Sequence, residues 1–232
     1  MTIAGEPGIG KTTLASTFIK PGFIKFEDGT RSILGKDFIE TDLLTSYDQG
    51  LEAIKAATES PDIKTIVVDS LSHLEKCIEN EIVAGTPNAI AINQAAGGYG
   101  NGQKAVGSRM GEFKKRCDES GKNVIYLCQT EVEEMKTIDI EGFNRLVLSL
   151  NKHSRRHFTD LVDCVAFIRL KLYDQRKGKE KVVLSTHERE LICYAHATLG
   201  SKNRFGITEP LDCEVDTNPI VEFIKSQIKK GK

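Results

Sequence analysis

With 232 residues, 39% of them apolar and 28% charged, the chain has the length for one substantial α/β core and the composition of an ordinary soluble globular protein. No apolar run approaches the roughly 18 residues of a membrane span. The N-terminus enters a glycine-rich loop rather than a signal peptide, which points to the cytoplasm and to no membrane partner. A net charge of −1 excludes a protein that coats nucleic acid by bulk electrostatics and leaves local basic patches: Lys114 to Arg116, Lys152 to His157 and Arg169 to Lys181.

Short β-branched runs alternate with helical patterns, the signature of a parallel sheet flanked by helices. Met1 to Ala4 forms the first strand. A helix with Leu14, Ala15, Phe18 and Ile19 on one face follows and stops at Pro21-Gly22. Phe23 to Phe26 is the next strand and delivers Glu27 and Asp28 at its end. Tyr47 to Thr58 is helical, Thr65 to Val68 is a strand too apolar to be half-exposed, and Leu71, Leu74, Ile78 and Ile82 recur at helical spacing. Gly85 to Gly107 reads as a long glycine-rich loop. Val106, Met110, Phe113 and Cys117 mark another helix, and Val124 to Cys128 another buried strand. Beyond it, Val162 to Leu172, Lys181 to Ser185 and Glu190 to Ala197 read as an antiparallel extension, with a turn at Lys177-Gly178-Lys179. An amphipathic helix with Ile220, Phe223, Ile224 and Ile228 ends the chain. The prediction is a single domain over 1–232: a mostly parallel central sheet, flanking helices and an antiparallel C-terminal extension.

The six scattered cysteines read as reduced thiols. His153 and His157 have half the spacing of a zinc finger, without the cysteine pair that would complete it.

The chemistry starts at Gly5-Glu6-Pro7-Gly8-Ile9-Gly10-Lys11-Thr12, which fits G-x-x-x-x-G-K-[ST] in full. Glycines let the backbone wrap phosphates with its N–H groups, and the following helix, through Thr13, adds the positive end of its dipole. Lys11 supplies a charge to the phosphates of ATP and the Thr12 hydroxyl can ligate Mg²⁺. Asp69, ending a buried strand, is placed for the second Mg²⁺ contact. Hydrolysis also needs a carboxylate to orient or deprotonate water. Ser70, not an acid, follows Asp69, so the tip of the neighbouring strand supplies it: Glu27, with Asp28 as the alternative. Gln129, ending the Val124 strand, can touch the γ-phosphate.

The order of P-loop, acid on the next strand, strand ending in Asp-Ser and strand ending in Gln resembles the core of RecA-type ATPases rather than the AAA+ or GTPase branches. The G-E-P-G-I-G-K-T loop, Phe26 to Gly29 and Ser201-Lys202-Asn203-Arg204-Phe205-Gly206 resemble the phage and prophage nucleotide-binding proteins, RecA-like cores that include single-strand annealing proteins. That resemblance spans roughly residues 1 to 210. It implies a RecA-like fold, Lys202 and Arg204 as fingers acting on a neighbour's ATP in a homo-oligomeric ring or filament, and single-stranded DNA as partner, with a single-strand-binding protein as a further one. The DNA loops would be Gly85 to Lys104, offering Tyr99 and Lys104, and Glu131 to Arg156, offering Lys152, Arg155 and Arg156. Glu131, Glu133, Glu134 and Glu141 in the second have the wrong sign for phosphate. Full recombinases dock through an N-terminal segment that has no counterpart ahead of this P-loop, so stable filaments are expected to form differently, to need DNA, or not to form at all. Three functions follow: a DNA-dependent ATPase for annealing or recombination, a nucleotide-gated assembly switch, and a small-molecule kinase.

Overall fold

The computed structural model describes residues 1–136, 142–177 and 180–230. In chain order, β1 (Thr2–Ala4) leads through the glycine loop into α1 (Lys11–Ala15), then β2 (Pro21–Lys25), the short β3 (Ile39–Glu40) and α2 (Tyr47–Glu59). The next elements are β4 (Thr65–Asp69), α3 (Leu71–Ala84), α4 (Asn101–Glu119) and β5 (Asn123–Cys128). A hairpin of β6 (Thr130–Met135) and β7 (Phe143–Leu148) and helix α5 (Lys152–Thr159) precede the long antiparallel pair β8 (Cys164–Lys177) and β9 (Glu180–Ile192). The chain closes with β10 (Lys202–Asn203), β11 (Leu211–Asp212) and α6 (Pro219–Lys230).

The main sheet runs β11-β9-β8-β1-β5-β4-β2-β3, with β10 also on β8. Every pairing from β8 across to β3 is parallel, and β9, β10 and β11 extend the sheet antiparallel. The fold is therefore the α/β arrangement expected, a mostly parallel sheet with flanking helices and an antiparallel extension, with the Gln129 strand inserted between the P-loop strand and the Asp69 strand. Strand alternation divides the core between two faces. Ala4, Ile66, Val68, Tyr126, Cys128, Val165 and Phe167 pack under α2 to α5, through Ile54, Leu74, Ile78, Met110, Phe113 and Phe158. Ile3, Val67, Ile125, Leu127, Ala166 and Ile168 face the other way, onto Leu14 and Ala15 of α1 and Ile220 of α6. Central strands buried on both faces explain why these runs are continuously apolar in sequence. Among the described residues, no helix is long and apolar enough to cross a membrane.

Four expectations need correction. Helix α1 ends at Ala15, short of Pro21, because the Ser16 and Thr17 hydroxyls donate back to the carbonyls of Thr13 and Leu14 and compete with helical propagation. Pro21 and Gly22 instead open β2, and a side chain on Gly22 would collide with Ile63. The glycine-rich loop is shorter than read: α4 starts at Asn101, so Lys104 stands on a helix. Gly102 permits that start, since a Cβ there would lie 2.2 Å from the Ile92 carbonyl oxygen. The segment expected as a second loop is the β6–β7 hairpin followed by α5, in register from Thr130↔Leu148 to Met135↔Phe143. Finally, Lys181 to Ser185 and Glu190 belong to one strand, β9, which stops at Ile192. Gly178 and Lys179 of the expected turn lie outside the described residues, as does Glu141.

Candidate active site

The parallel strands all end at one edge of the sheet, and the functional side chains collect there, where α/β sheets bind ligands. The Gly5 N–H donates to the Cys128 carbonyl at 3.3 Å, so the P-loop leaves β1 against the end of β5, one residue from Gln129. Gly8 (φ 76°) and Gly10 (φ 105°) take the left-handed backbone that the loop's turns require. The loop folds around Lys11, whose Nζ donates to the carbonyls of Gly5 at 3.0 Å and Glu6 at 2.9 Å. Lys11 is buried; burial lowers its pKa from the ordinary lysine value, against the opposing pull of Glu27 and Asp69.

Thr12 lies in the first turn of α1 and its hydroxyl donates to Oδ2 of Asp69 at 2.9 Å. Asp69 is only 2% exposed, and burial pushes its carboxyl up from 3.8 to about 6; the Thr12 hydrogen bond and Lys11 partly offset this, and Glu27 adds to it. Gly29 borders the pair: a Cβ there would stand 3.0 Å from Asp69 Oδ2 and 3.1 Å from Thr12 Oγ1. A hydroxyl and a carboxylate, joined and left uncrowded by a glycine, are hard oxygen donors that suit Mg²⁺. The residues present therefore fit the metal that the P-loop implies.

Glu27 owes its position to the main chain. The N–H groups of Phe26 and Glu27 both donate to the Asp69 carbonyl, at 2.6 and 3.0 Å, and hook the end of β2 onto the end of β4. The Glu27 carboxylate then accepts from the Ser70 hydroxyl at 3.0 Å and faces His73 Nδ1 at 3.1 Å, with Ser70 and His73 2.8 Å apart. The Asp69–Ser70 peptide bond is cis. Asp28, the alternative acid, is taken by Arg31 at 2.8 Å. Ser70 and His73, one helical turn apart at the start of α3, are a cluster that sequence reading did not single out, although Ser-x-x-His after a strand-ending Asp is a legible spacing.

Gln129 stands at the junction of β5 and β6. Its N–H donates to Ser72 Oγ at 3.2 Å, and its carbonyl accepts from the Ser149 N–H at 2.8 Å. Ser72 also donates to the Ser149 carbonyl, and the buried Glu75 carboxylate holds the backbone and side-chain N–H groups of Asn151, the N-cap of α5. Helix α3 thus joins the Asp69 strand to Gln129 and to α5 through consecutive turns.

Among the remaining predicted residues, Lys202 and Arg204 lie away from this edge. Lys202 pairs with Val165 and donates to the Asp160 carbonyl, and Arg204 binds Asp163 at 3.0 Å. Val165 is level with Thr2, at the start of β1, so both cations sit at the opposite end of the sheet from their own P-loop. Tyr99 is 99% exposed, between Gly98 and Gly100. Helices α4 and α5 pack through Gly107 and Gly111, where a Cβ would strike His153 and the His157 ring. That packing accounts for the two histidines, and no cluster of three potential metal ligands exists among the described residues. A recess of about 320 Å³ between the helices is lined by Lys104, Ser108, His153, Arg156 and His157, and Lys152 is exposed on the same helix. Arg155 departs from expectation: its guanidinium is held by Glu131 at 2.5 Å and by Glu133, which neutralises it and ties the hairpin to α5.

A family described as an AAA domain matches residues 1–205. No curated protein matches the chain. Among solved structures, the KaiC-like protein of the hyperthermophilic archaeon Pyrococcus horikoshii is similar at 16% identity over 94% of this chain and 86% of that one, with a TM-score of 0.49. The motif order is expected to mark a RecA-type core rather than the AAA+ branch; the matching family is instead described as an AAA domain. Because the match runs from the P-loop through Asp69, Gln129 and the antiparallel strands to Phe205, the chain belongs to the AAA domain family.

Proposed function

We propose that this P-loop protein hydrolyses ATP with Mg²⁺ and that single-stranded DNA governs the turnover. The observation that carries the hydrolytic reading is Glu27. Two main-chain hydrogen bonds to Asp69 and a hydroxyl from Ser70 hold its carboxylate beside the Thr12–Asp69 pair. Loop N–H groups and Lys11 bind the phosphates, Thr12 and Asp69 hold the metal, and Glu27 orients a water and takes its proton. Mg²⁺, when bound, neutralises charge that develops on the transferred phosphoryl oxygens. Gln129, tied through Ser72 to α3, reads the γ-phosphate and passes its presence to α5.

DNA is assigned to the α4–α5 face. Tyr99 offers a stacking surface, and Lys104, Lys152 and Arg156 offer cations without acidic partners among the described residues, while Arg155 is excluded by its two glutamates. The resemblance to phage and prophage nucleotide-binding proteins supports annealing or recombination as the process. Lys202 and Arg204, at the end of the sheet opposite their own P-loop, would serve a neighbour's in a homo-oligomer. The acidic β6 favours a second reading, a nucleotide-gated assembly switch that does not touch DNA. ATP turnover of the wild type and the Lys11→Ala and Glu27→Gln variants, with and without single-stranded DNA, decides between them. Glu27→Gln is expected to lose about 10²- to 10⁴-fold in kcat while still binding Mg-ATP. Turnover indifferent to DNA, with no DNA binding at low salt, leaves the assembly switch; full turnover by Glu27→Gln sinks the hydrolytic role.

A further inference from the structure

Arg189 lies 180 residues from the P-loop in sequence and against it in space, with Nη1 donating to the Ile9 carbonyl at 3.3 Å. The approach is close: a Cβ on Gly10 would stand 2.1 Å from that nitrogen. Arg189 is delivered by β9, where it pairs with Leu170, and the β8–β9 register slips immediately beyond that pair. Such an irregularity bends a strand and redirects its side chains. The neighbouring cations of the hairpin are satisfied by carboxylates: Arg169 by Glu190 at 2.7 Å, and Lys171 by Asp212 at 2.6 Å. Arg189 has no carboxylate within ion-pair distance among the described residues. Its hydrogen bond is to a loop carbonyl, as are those of Lys11 to Gly5 and Glu6. A half-buried guanidinium with a single long hydrogen bond to a neutral acceptor is an anion-binding group short of its anion.

We propose that Arg189 is a phosphate-binding residue, reaching from the antiparallel hairpin of the same chain to the α- and β-phosphates of the nucleotide. The assignment to those phosphates comes from the sheet order. Asp69 and Glu27 approach the loop from the β5–β4–β2 side, and Arg189 approaches from the β8–β9 side. The groups that act on the γ-phosphate stand on one flank of the loop and Arg189 stands on the other, so it serves the part of the ligand that ADP and ATP share. Lys11 and Arg189 then hold the diphosphate between two cations. This inference rests on the nucleotide-binding reading of the loop.

The test is titration of Mg-ADP and Mg-ATP into the wild type and the Arg189→Ala, Arg189→Lys and Lys11→Ala proteins, with thermal melting of each protein alone. Arg189→Ala is expected to weaken both nucleotides by about ten- to a hundredfold, the loss of a charged hydrogen-bonding partner, with Arg189→Lys between it and wild type. The slope of log affinity against log salt should also flatten in Arg189→Ala, which removal of a mere brace on Ile9 would not produce. Arg189→Ala binding both nucleotides within twofold of wild type, or losing ATP while keeping ADP, overturns the assignment. If Arg189→Ala fails to fold, Arg189→Lys decides by the same criteria. A wild type that binds neither nucleotide overturns the reading of the loop itself; a wild type that binds while Lys11→Ala does not keeps that reading whatever becomes of Arg189.

Discussion

Replacing Asp69 with Asn separates what the site contributes to stability from what it contributes to chemistry. Asp69 is buried, and its carboxyl titrates at about 6 instead of 3.8, burial being the main cause. The folded state therefore binds this proton more tightly than the unfolded chain does. Its contribution to stability is present in full below pH 3.8 and is lost as pH rises through about 6. A displacement of about two pH units, at about 1.4 kcal/mol each, makes the ionised carboxylate cost about 3 kcal/mol near pH 8. Asn cannot ionise and keeps an acceptor for the Thr12 hydroxyl, so the variant escapes that cost. It also deprives Lys11 of a counter-charge, which reduces the expected gain to about 1–3 kcal/mol. Urea denaturation of both proteins at several pH values between 4.5 and 8, without Mg²⁺ or nucleotide, measures the difference. The advantage of Asp69→Asn should grow as pH rises through 6 and level off above 7. With saturating Mg-ATP the order should reverse, since ligand stabilises only the protein that binds it well. A difference that stays flat across this range, or a variant less stable at pH 8, refutes the reasoning.

Gly10→Ala forces a left-handed backbone onto alanine and drives its methyl into the Arg189 guanidinium; nucleotide affinity should fall at least tenfold, with about 1–3 kcal/mol of stability lost, as titration and denaturation would show. Gly107→Ala puts a methyl 2.5 Å from His153 Cβ, so α5 must shift away from α4 at a cost of about 1–3 kcal/mol, read by thermal melting. Arg155→Ala leaves Glu131 and Glu133 without their shared cation; amide exchange in β6 should accelerate while the exchange of β1 and β5 is unchanged. Lys104→Ala with Arg156→Ala should weaken single-stranded DNA binding and reduce the slope of log affinity against log salt by about 1.4, at about 0.7 for each DNA phosphate that goes without its cation.

How much of this the sequence disclosed follows from the range of each interaction. The central strands were legible because burial on both faces makes Thr65–Asp69 and Asn123–Cys128 nearly continuous apolar runs, a property of single segments. The P-loop was legible for the same reason: its turns, its cation and its hydroxyl occupy eight consecutive residues. Glu27 was reachable because the next strand in the chain is also near in the sheet, separated from Asp69 by one ladder. The misread segments depended on partners. Glycines 97 to 102 suggested a loop, yet Gly102 lies in the first turn of a helix, where the Ile92 carbonyl occupies the space a side chain would fill. The hairpin was hidden by its charges, since the glutamates that make β6 look like solvent-exposed loop are the ones that bind Arg155, 22 and 24 residues later.

Arg189 marks the limit of that kind of reading. Its sequence neighbourhood, His187 to Glu190, gives an ordinary polar edge-strand pattern, and no spacing to the P-loop exists at 180 residues' separation. Only closure of the sheet through β8, parallel to β1 on one side and antiparallel to β9 on the other, brings it against Gly10. On the Arg189 proposal, the same closure gives the antiparallel extension a role at the nucleotide. A parallel core supplies carboxylates from its strand ends on one flank of the loop. The antiparallel return of β9 along β8 delivers a cation to the other flank. If Arg189 binds phosphate, the hairpin is part of the nucleotide site, and shortening or loosening it should change ADP affinity before it changes the stability of the parallel core.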